Sequence, residues 1–187
     1  MARQESVDGI EMTFALNHLG YFLLTNLLLD MLKASVPARI INVSALLHRY
    51  ARLDFDDLQN RKRYSGWRVY RESKLAIVMF TYELARRLEK TGVTVNVLHP
   101  GVVATNLGAN NWAARLFRRV TNVLPVFISP EQGAQTMIYL ATSPEVEGVT
   151  GKYFVKEKAV PSSQDSYDMT AAKRLWQMSQ AMTGLSM

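Results

Sequence analysis

Apolar residues along this 187-residue chain recur in two rhythms. Over residues 10–33 they return around most of a helical circumference, which predicts a helix buried on much of its surface. Residues 38–45 and 93–98 are instead short continuous apolar runs, bounded by Pro37 and by Thr91-Gly92, the form of parallel strands covered on both faces. Between them a helical pattern runs from Tyr70 to about Lys90. Leu75, Val78, Met79, Tyr82, Leu84 and Leu88 supply its apolar faces, and Glu72, Glu83, Arg86, Arg87 and Glu89 mark its wetter positions. Residues 46–66 form a polar, charge-rich connection with turn material at Asp54-Phe55-Asp56-Asp57 and Tyr64-Ser65-Gly66.

The remainder extends the alternation. Residues 106–129 mix Trp112, Leu116, Phe117, Val120, Val123, Leu124, Val126 and Phe127 with Arg115, Arg118 and Arg119. That composition suits a lid over a lipophilic ligand, a membrane-surface contact, or a helix packed on the body. Ser129-Pro130-Glu131 is a polar-then-proline helix start that carries on through Leu140. Gly151-Lys152-Tyr153-Phe154-Val155 reads as a last short strand, and residues 171–182, with Leu175, Trp176 and Met182, as a C-terminal helix docking an apolar edge. Residues 1–9 are polar and expected to fray. The pattern is α/β, one domain over 1–187, with about three strands and flanking helices.

Composition narrows the class of protein. Hydrophobic residues make up 48% and charged residues 20%, as in globular chains. The net charge of +6 is spread over Arg61-Lys62-Arg63, Arg86-Arg87 and Arg118-Arg119, a solvated basic surface without a nucleic-acid-binding pattern. There is no cysteine and only three histidines, His18, His48 and His99, at no ligand spacing, so no metal site is expected. Asn17, His18, Asn26 and Asp30 interrupt the apolar run of residues 14–32, which therefore reads as a core helix rather than a membrane span. With no basic-then-apolar leader at the start, the expectation is a soluble cytoplasmic protein.

Chemistry concentrates in Tyr70-Arg71-Glu72-Ser73-Lys74. Four residues apart on a helix, Tyr70 and Lys74 share a face. A nearby cation favours a phenolate and would make the tyrosine an acid or base. The same spacing also fits a tyrosine that packs while the lysine reaches for water. Three further segments bear on the choice: Asn17-His18-Leu19-Gly20 within the first helix, Ile41-Asn42-Val43-Ser44 at the carboxyl end of a strand, and His99-Pro100-Gly101-Val102-Val103-Ala104-Thr105 after the next.

In this order the four segments resemble the short-chain dehydrogenase/reductase family, most closely its retinol dehydrogenase-like branch, over nearly the whole chain. The resemblance implies a Rossmann-like, doubly wound parallel sheet and NAD(P)-dependent hydride transfer on a lipophilic alcohol or carbonyl. It implies that Tyr70 exchanges the hydroxyl proton, Lys74 lowers its pKa and binds the nicotinamide ribose, Ser44 holds the substrate oxygen, and Asn17 bonds the main chain at a helix distortion and supports the proton path. Pro100, Gly101 and Thr105 would contact the NAD or NADP beside Tyr70 and Lys74. One departure stands out. The family's small-residue pair ends in serine, which puts Ala45 in the catalytic slot and Ser44 in the structural one unless a local shift turns Ser44 inward.

A TGxxxGxG strand-turn-helix, the element whose helix N-terminus meets the pyrophosphate, is missing, so the chain reads as the catalytic half of an incomplete Rossmann-like fold. Strand 38–45 would then expose an unpaired edge. Pairing through that edge and the long helices, as a homo-oligomer or a non-catalytic interaction module, is the alternative to catalysis.

Overall fold

A computed structural model describes residues 2–103 and 128–185. The first helical stretch comprises α1 (Met12–Phe14), a π-helical turn (Ala15–Leu19), α2 (Gly20–Leu27) and α3 (Leu29–Ala34). It leads into strand β1 (Ala38–Val43), a 3-10 turn (Leu46–Tyr50), the long α4 (Gly66–Arg87) and β2 (Val93–His99). Beyond residue 128 come α5 (Pro130–Thr142), β3 (Tyr153–Val155), β4 (Lys158–Val160) and α6 (Met169–Thr183).

The sheet order is β1-β2-β3-β4. β1 and β2 pair in parallel with Ile40 opposite Val95, and β2 and β3 with Val97 opposite Tyr153. All residues of β2 but Thr94 are buried, as expected of a strand covered on both faces. β1 is the edge among the described residues, and its side chains are mostly only half-buried.

The sheet of about three strands read from the sequence is present, with one short strand more. β4 returns antiparallel on β3 through Lys156-Glu157, both at positive φ (49° and 64°). A two-residue hairpin needs such φ values, and Asn-Gly is the usual signal for them; Lys-Glu carries none. The N-terminus also departs from the expected fraying. Arg3 donates to the Gln59 carbonyl at 3.2 Å, and Glu5 bridges to Glu11.

α4 crosses from β1 to β2 and is buried along almost its whole length. Its inner face lies on the sheet, where Asn42 donates to Thr81 Oγ1 at 2.9 Å. Its outer face lies under α6: Trp176 stacks on Phe80 with centroids 5.8 Å apart, and the Arg87 guanidinium sits 4.0 Å over the Trp176 ring. Glu83, buried, holds Arg86 and Arg87 at 2.7 and 2.8 Å. On the two long helical stretches, the open apolar surface is therefore mainly that of Leu16, Leu24, Leu27 and Met31 on the first, with Trp67 in the first turn of α4. On the other face of the sheet, Arg39 reaches from β1 to the Leu140 and Ser143 carbonyls at the end of α5, at 3.0 and 2.9 Å.

His18 joins the first helical stretch to α6. Fully buried between Phe14 and Phe80, it donates from Nε2 to Ser179 Oγ at 2.8 Å, and Ser179 donates onward to the Leu175 carbonyl. Burial lowers the His18 pKa to about 3. The folded chain thus keeps this ring neutral while the unfolded chain protonates it below about pH 6.5. Stability is complete above that pH and falls as pH drops toward 3, by about 1.4 kcal/mol per pH unit from this one group. Burial shifts His48 and His99 in the same direction. We predict that the urea midpoint declines from pH 7 to pH 4 and that His18→Gln reduces this slope by about one proton. An unchanged slope in the variant would show that His18 does not carry it.

Candidate active site

In parallel α/β sheets, ligands lie beyond the carboxyl ends of the strands. At that end β1 passes into Ser44 and Ala45, β2 into Pro100 and Gly101, and α4 begins. Ser44 continues the ladder, its N–H donating to the Leu98 carbonyl at 2.8 Å. Its hydroxyl donates to the Lys74 carbonyl at 2.8 Å and is buried. Lys74 answers with its ammonium, which donates to the Val43 carbonyl at 3.3 Å. The last residue of β1 and the serine after it are thus tied to one residue of α4. The Ser44 hydroxyl is thus engaged with α4, and Ala45, extended and half-buried, is the next residue toward the mouth.

Tyr70 and Lys74 share a face of α4, with Nζ 5.7 Å from the phenol ring centroid. Burial dominates both groups. It pushes the Tyr70 phenol up and the Lys74 ammonium down. The phenol-lowering effect expected of the lysine does not prevail, because desolvation of the buried phenol outweighs it.

Asn17 lies in the π-helical turn, so the helix distortion is present. Its amide donates to Ser73 Oγ at 3.0 Å, and Ser73 donates to the Tyr70 carbonyl at 2.8 Å. The implied main-chain bond is replaced here by a side-chain partner, so Asn17 reaches the Tyr70 turn through Ser73. The sequence reading overlooked Ser73; its place one residue before Lys74, on the side of α4 facing the first helix, was the available signal.

His48 was also overlooked, having been weighed only as a metal ligand. It is fully buried against Tyr153. Nδ1–H donates to the Ala45 carbonyl at 2.7 Å, and Nε2 accepts the Ser163 N–H at 3.2 Å. The backbone at Ala45 is thereby fixed from the C-terminal segment. After β2, His99 Nδ1 accepts the Gly101 N–H at 3.3 Å. Gly101 has φ +96°, a backbone conformation in which any side chain is strained, and a Cβ there would also have to displace the tip of Ile128, 2.5 Å away. Pro100 is half-buried beside it. Thr105 and the segment of residues 106–127 lie outside the described residues.

Could these groups hold the nicotinamide end of a dinucleotide? Lys74 has three N–H donors and uses one on Val43 among the described residues; Tyr70 offers a hydroxyl, and the Gly101 bend follows β2, the strand paired with β1. That donor set fits a ribose diol and a carboxamide. No three His, Cys, Asp or Glu residues cluster as metal ligands among the described residues. No helix among them is long and apolar enough to cross a membrane.

Fold and placement together define an α/β protein of Rossmann-like type with a tyrosine-lysine pair at its ligand-binding end. Residues 1–116 match the short chain dehydrogenase family, and the chain belongs to that family. It is similar to human retinol dehydrogenase 14, 51% identical over 183 residues, covering 95% of this chain and 54% of that protein. It is also similar to human polyprenol dehydrogenase, 45% identical over 190 residues, covering 98% of this chain and 57% of that one. The chain thus spans about half the length of the curated relatives it matches. Among solved structures, an uncharacterized protein from Mycobacterium Paratuberculosis superposes with a TM-score of 0.75 at 29% identity, covering all of this chain and 63% of that one.

The Ser44 hydrogen bond gives a direct check on its position. We predict that Ser44→Ala lowers stability by about 1 kcal/mol, the usual worth of one such bond, measured as a shift in the denaturant midpoint. A change below about 0.3 kcal/mol would mean that the bond to Lys74 contributes nothing.

Proposed function

We propose that this chain is the catalytic half of an NAD(P)-dependent oxidoreductase acting on a lipophilic alcohol or carbonyl. One observation carries the reading: Tyr70 and Lys74 project from one face of α4 at the carboxyl ends of β1 and β2, with the Lys74 ammonium bonded to the end of β1. Bound there, a reduced nicotinamide supplies the hydride that a carbonyl carbon accepts. The Tyr70 hydroxyl gives its proton to the carbonyl oxygen in that direction and takes one from an alcohol in the other. Lys74 holds the ribose side of the site and adds positive charge over the phenol ring. Asn17, through Ser73, supports the Tyr70 turn. Because Ala45 has no hydroxyl, the substrate oxygen receives one donor fewer than a serine there would supply.

Relatives named for retinol and for polyprenol, both long isoprenoid alcohols, support a lipophilic substrate. A second reading has its own observation: β1 has no partner strand on its outer side among the described residues, and an unpaired strand edge is a template for another chain. On that reading the chain pairs without catalysing.

NADPH and NADH fluorescence titration of the purified chain separates the two. If the first reading holds, cofactor binds, a long-chain aldehyde is reduced, and Tyr70→Phe lowers turnover about a hundredfold or more while cofactor affinity changes little. We further predict that Ala45→Ser raises turnover by tenfold to about a hundredfold by restoring the missing donor. Absence of cofactor binding defeats the catalytic reading.

A further inference from the structure

Around the mouth of the site, apolar side chains face water where polar ones would cost nothing. Trp67 is 71% exposed, Val102 46% and Leu46 43%. Each is tied to a candidate site residue by the backbone. Leu46 follows Ala45, and Val102 follows Gly101. Trp67 sits in the first turn of α4, three residues before Tyr70 and seven before Lys74, so the three share one helix face.

The direction of α4 decides which way this face opens. Lys74 bonds the end of β1 at Val43, whereas Thr81, two turns further along, bonds Asn42. α4 therefore starts at the strands' carboxyl ends, and Trp67, a turn ahead of Tyr70, stands beyond them on the ligand side. Single exposed apolar residues are ordinary on a protein surface. Three from separate elements, each next to or one turn from a residue of the same site, are not a random scatter. Tryptophan offers a large, stiff contact area that stacks on flat or chain-like apolar groups with little loss of side-chain freedom.

We propose that Trp67, with Leu46 and Val102, forms the apolar lip that seats the hydrocarbon body of a long-chain lipophilic alcohol or carbonyl, and that Trp67 determines specificity for it. This rests on the reading of Tyr70 and Lys74 as the reacting end, since the lip is what continues that site outward. The reacting oxygen is recognised by polar groups inside, and the chain of the substrate by Trp67 outside. Short alcohols, which do not reach the lip, gain nothing from it.

The test is equilibrium binding of all-trans-retinol to the full chain, followed by retinol fluorescence, with NADPH titrated on the same preparations. Trp67→Ala is expected to weaken retinol binding about tenfold, the effect of losing one well-placed aromatic anchor, and Trp67→Phe by no more than about threefold. NADPH affinity stays unchanged in both. Leu24→Ala, which alters an equally open leucine on the first helical stretch, 60% exposed, leaves retinol binding unchanged if the lip is the site. Equal losses for Leu24→Ala and Trp67→Ala would show general adsorption to apolar surface and overturn the proposal, as would retinol binding indifferent to Trp67→Ala. Because Trp67 is exposed, its substitution should not disturb folding, and unchanged thermal melting confirms that. Should NADPH fail to bind while retinol binding still depends on Trp67, the catalytic reading falls and the lip stands.

Discussion

One reciprocal pair of hydrogen bonds sets the geometry on which the rest depends. Ser44 donates its hydroxyl to the Lys74 carbonyl, and Lys74 donates its ammonium to the Val43 carbonyl. Two consecutive residues leaving β1 are thereby fastened to one residue of α4, through its main chain and its side chain together. A helix resting on a sheet only by apolar contact can slide or rotate by a fraction of a turn at modest cost. A helix whose backbone carbonyl and side-chain tip are both held cannot. The same lock that orients Lys74 sets the rotation of Tyr70, four residues back on the same face. The serine that would otherwise be sought as a substrate donor is engaged in building the site.

The outer side of α4 is held as firmly, by unlike means. Trp176 and Phe80 stack, Arg87 covers the indole, and His18 reaches across to Ser179 on α6. Since α6 comes from the same chain, α4 is clamped between the sheet and its own C-terminus without a second subunit. The π-helical turn has a place in this arrangement. It holds both His18, bonded to Ser179 on α6, and Asn17, bonded to Ser73, so two neighbouring residues serve different tasks, one packing the outer layer and one bracing the Tyr70 turn.

Much of this was legible in the sequence. The strand-helix-strand order, the long helix and the shared face of Tyr70 and Lys74 follow from periodicity, and the likeness to the family follows from four motifs in order. What escaped did so for identifiable physical reasons. β4 hides behind a Lys156-Glu157 turn whose positive φ values no residue type announces. α4 starts at Gly66 rather than Tyr70, after Ser65, which makes no capping hydrogen bond. His48 reads as an isolated histidine until the chain from Ser163 returns to accept its company, more than a hundred residues later. The Ser44 bond to the Lys74 carbonyl needed coordinates too, because strand alternation only says that adjacent residues face opposite ways, not which way is inward.

Burial gives the tyrosine-lysine pair a character that spacing alone did not suggest. It moves the phenol up and the ammonium down, so both shifts favour the neutral forms. A tyrosine starting near pKa 10 and raised further keeps its proton throughout the neutral range. Under the proposed chemistry, Tyr70 then meets a ligand as a donor already loaded, suited to giving a proton to a carbonyl oxygen as hydride reaches the carbon. Removing a proton from an alcohol asks the reverse, a phenolate at the same place, and burial opposes that. Ala45 acts in the same sense. Without a hydroxyl from that position, oxygen charge developing in either direction depends the more on the phenol, and the group best able to quench it is one that has a proton to give. Under the proposed chemistry, burial thus presents Tyr70 to the substrate oxygen as a protonated phenol, the form from which carbonyl reduction starts and to which alcohol oxidation returns.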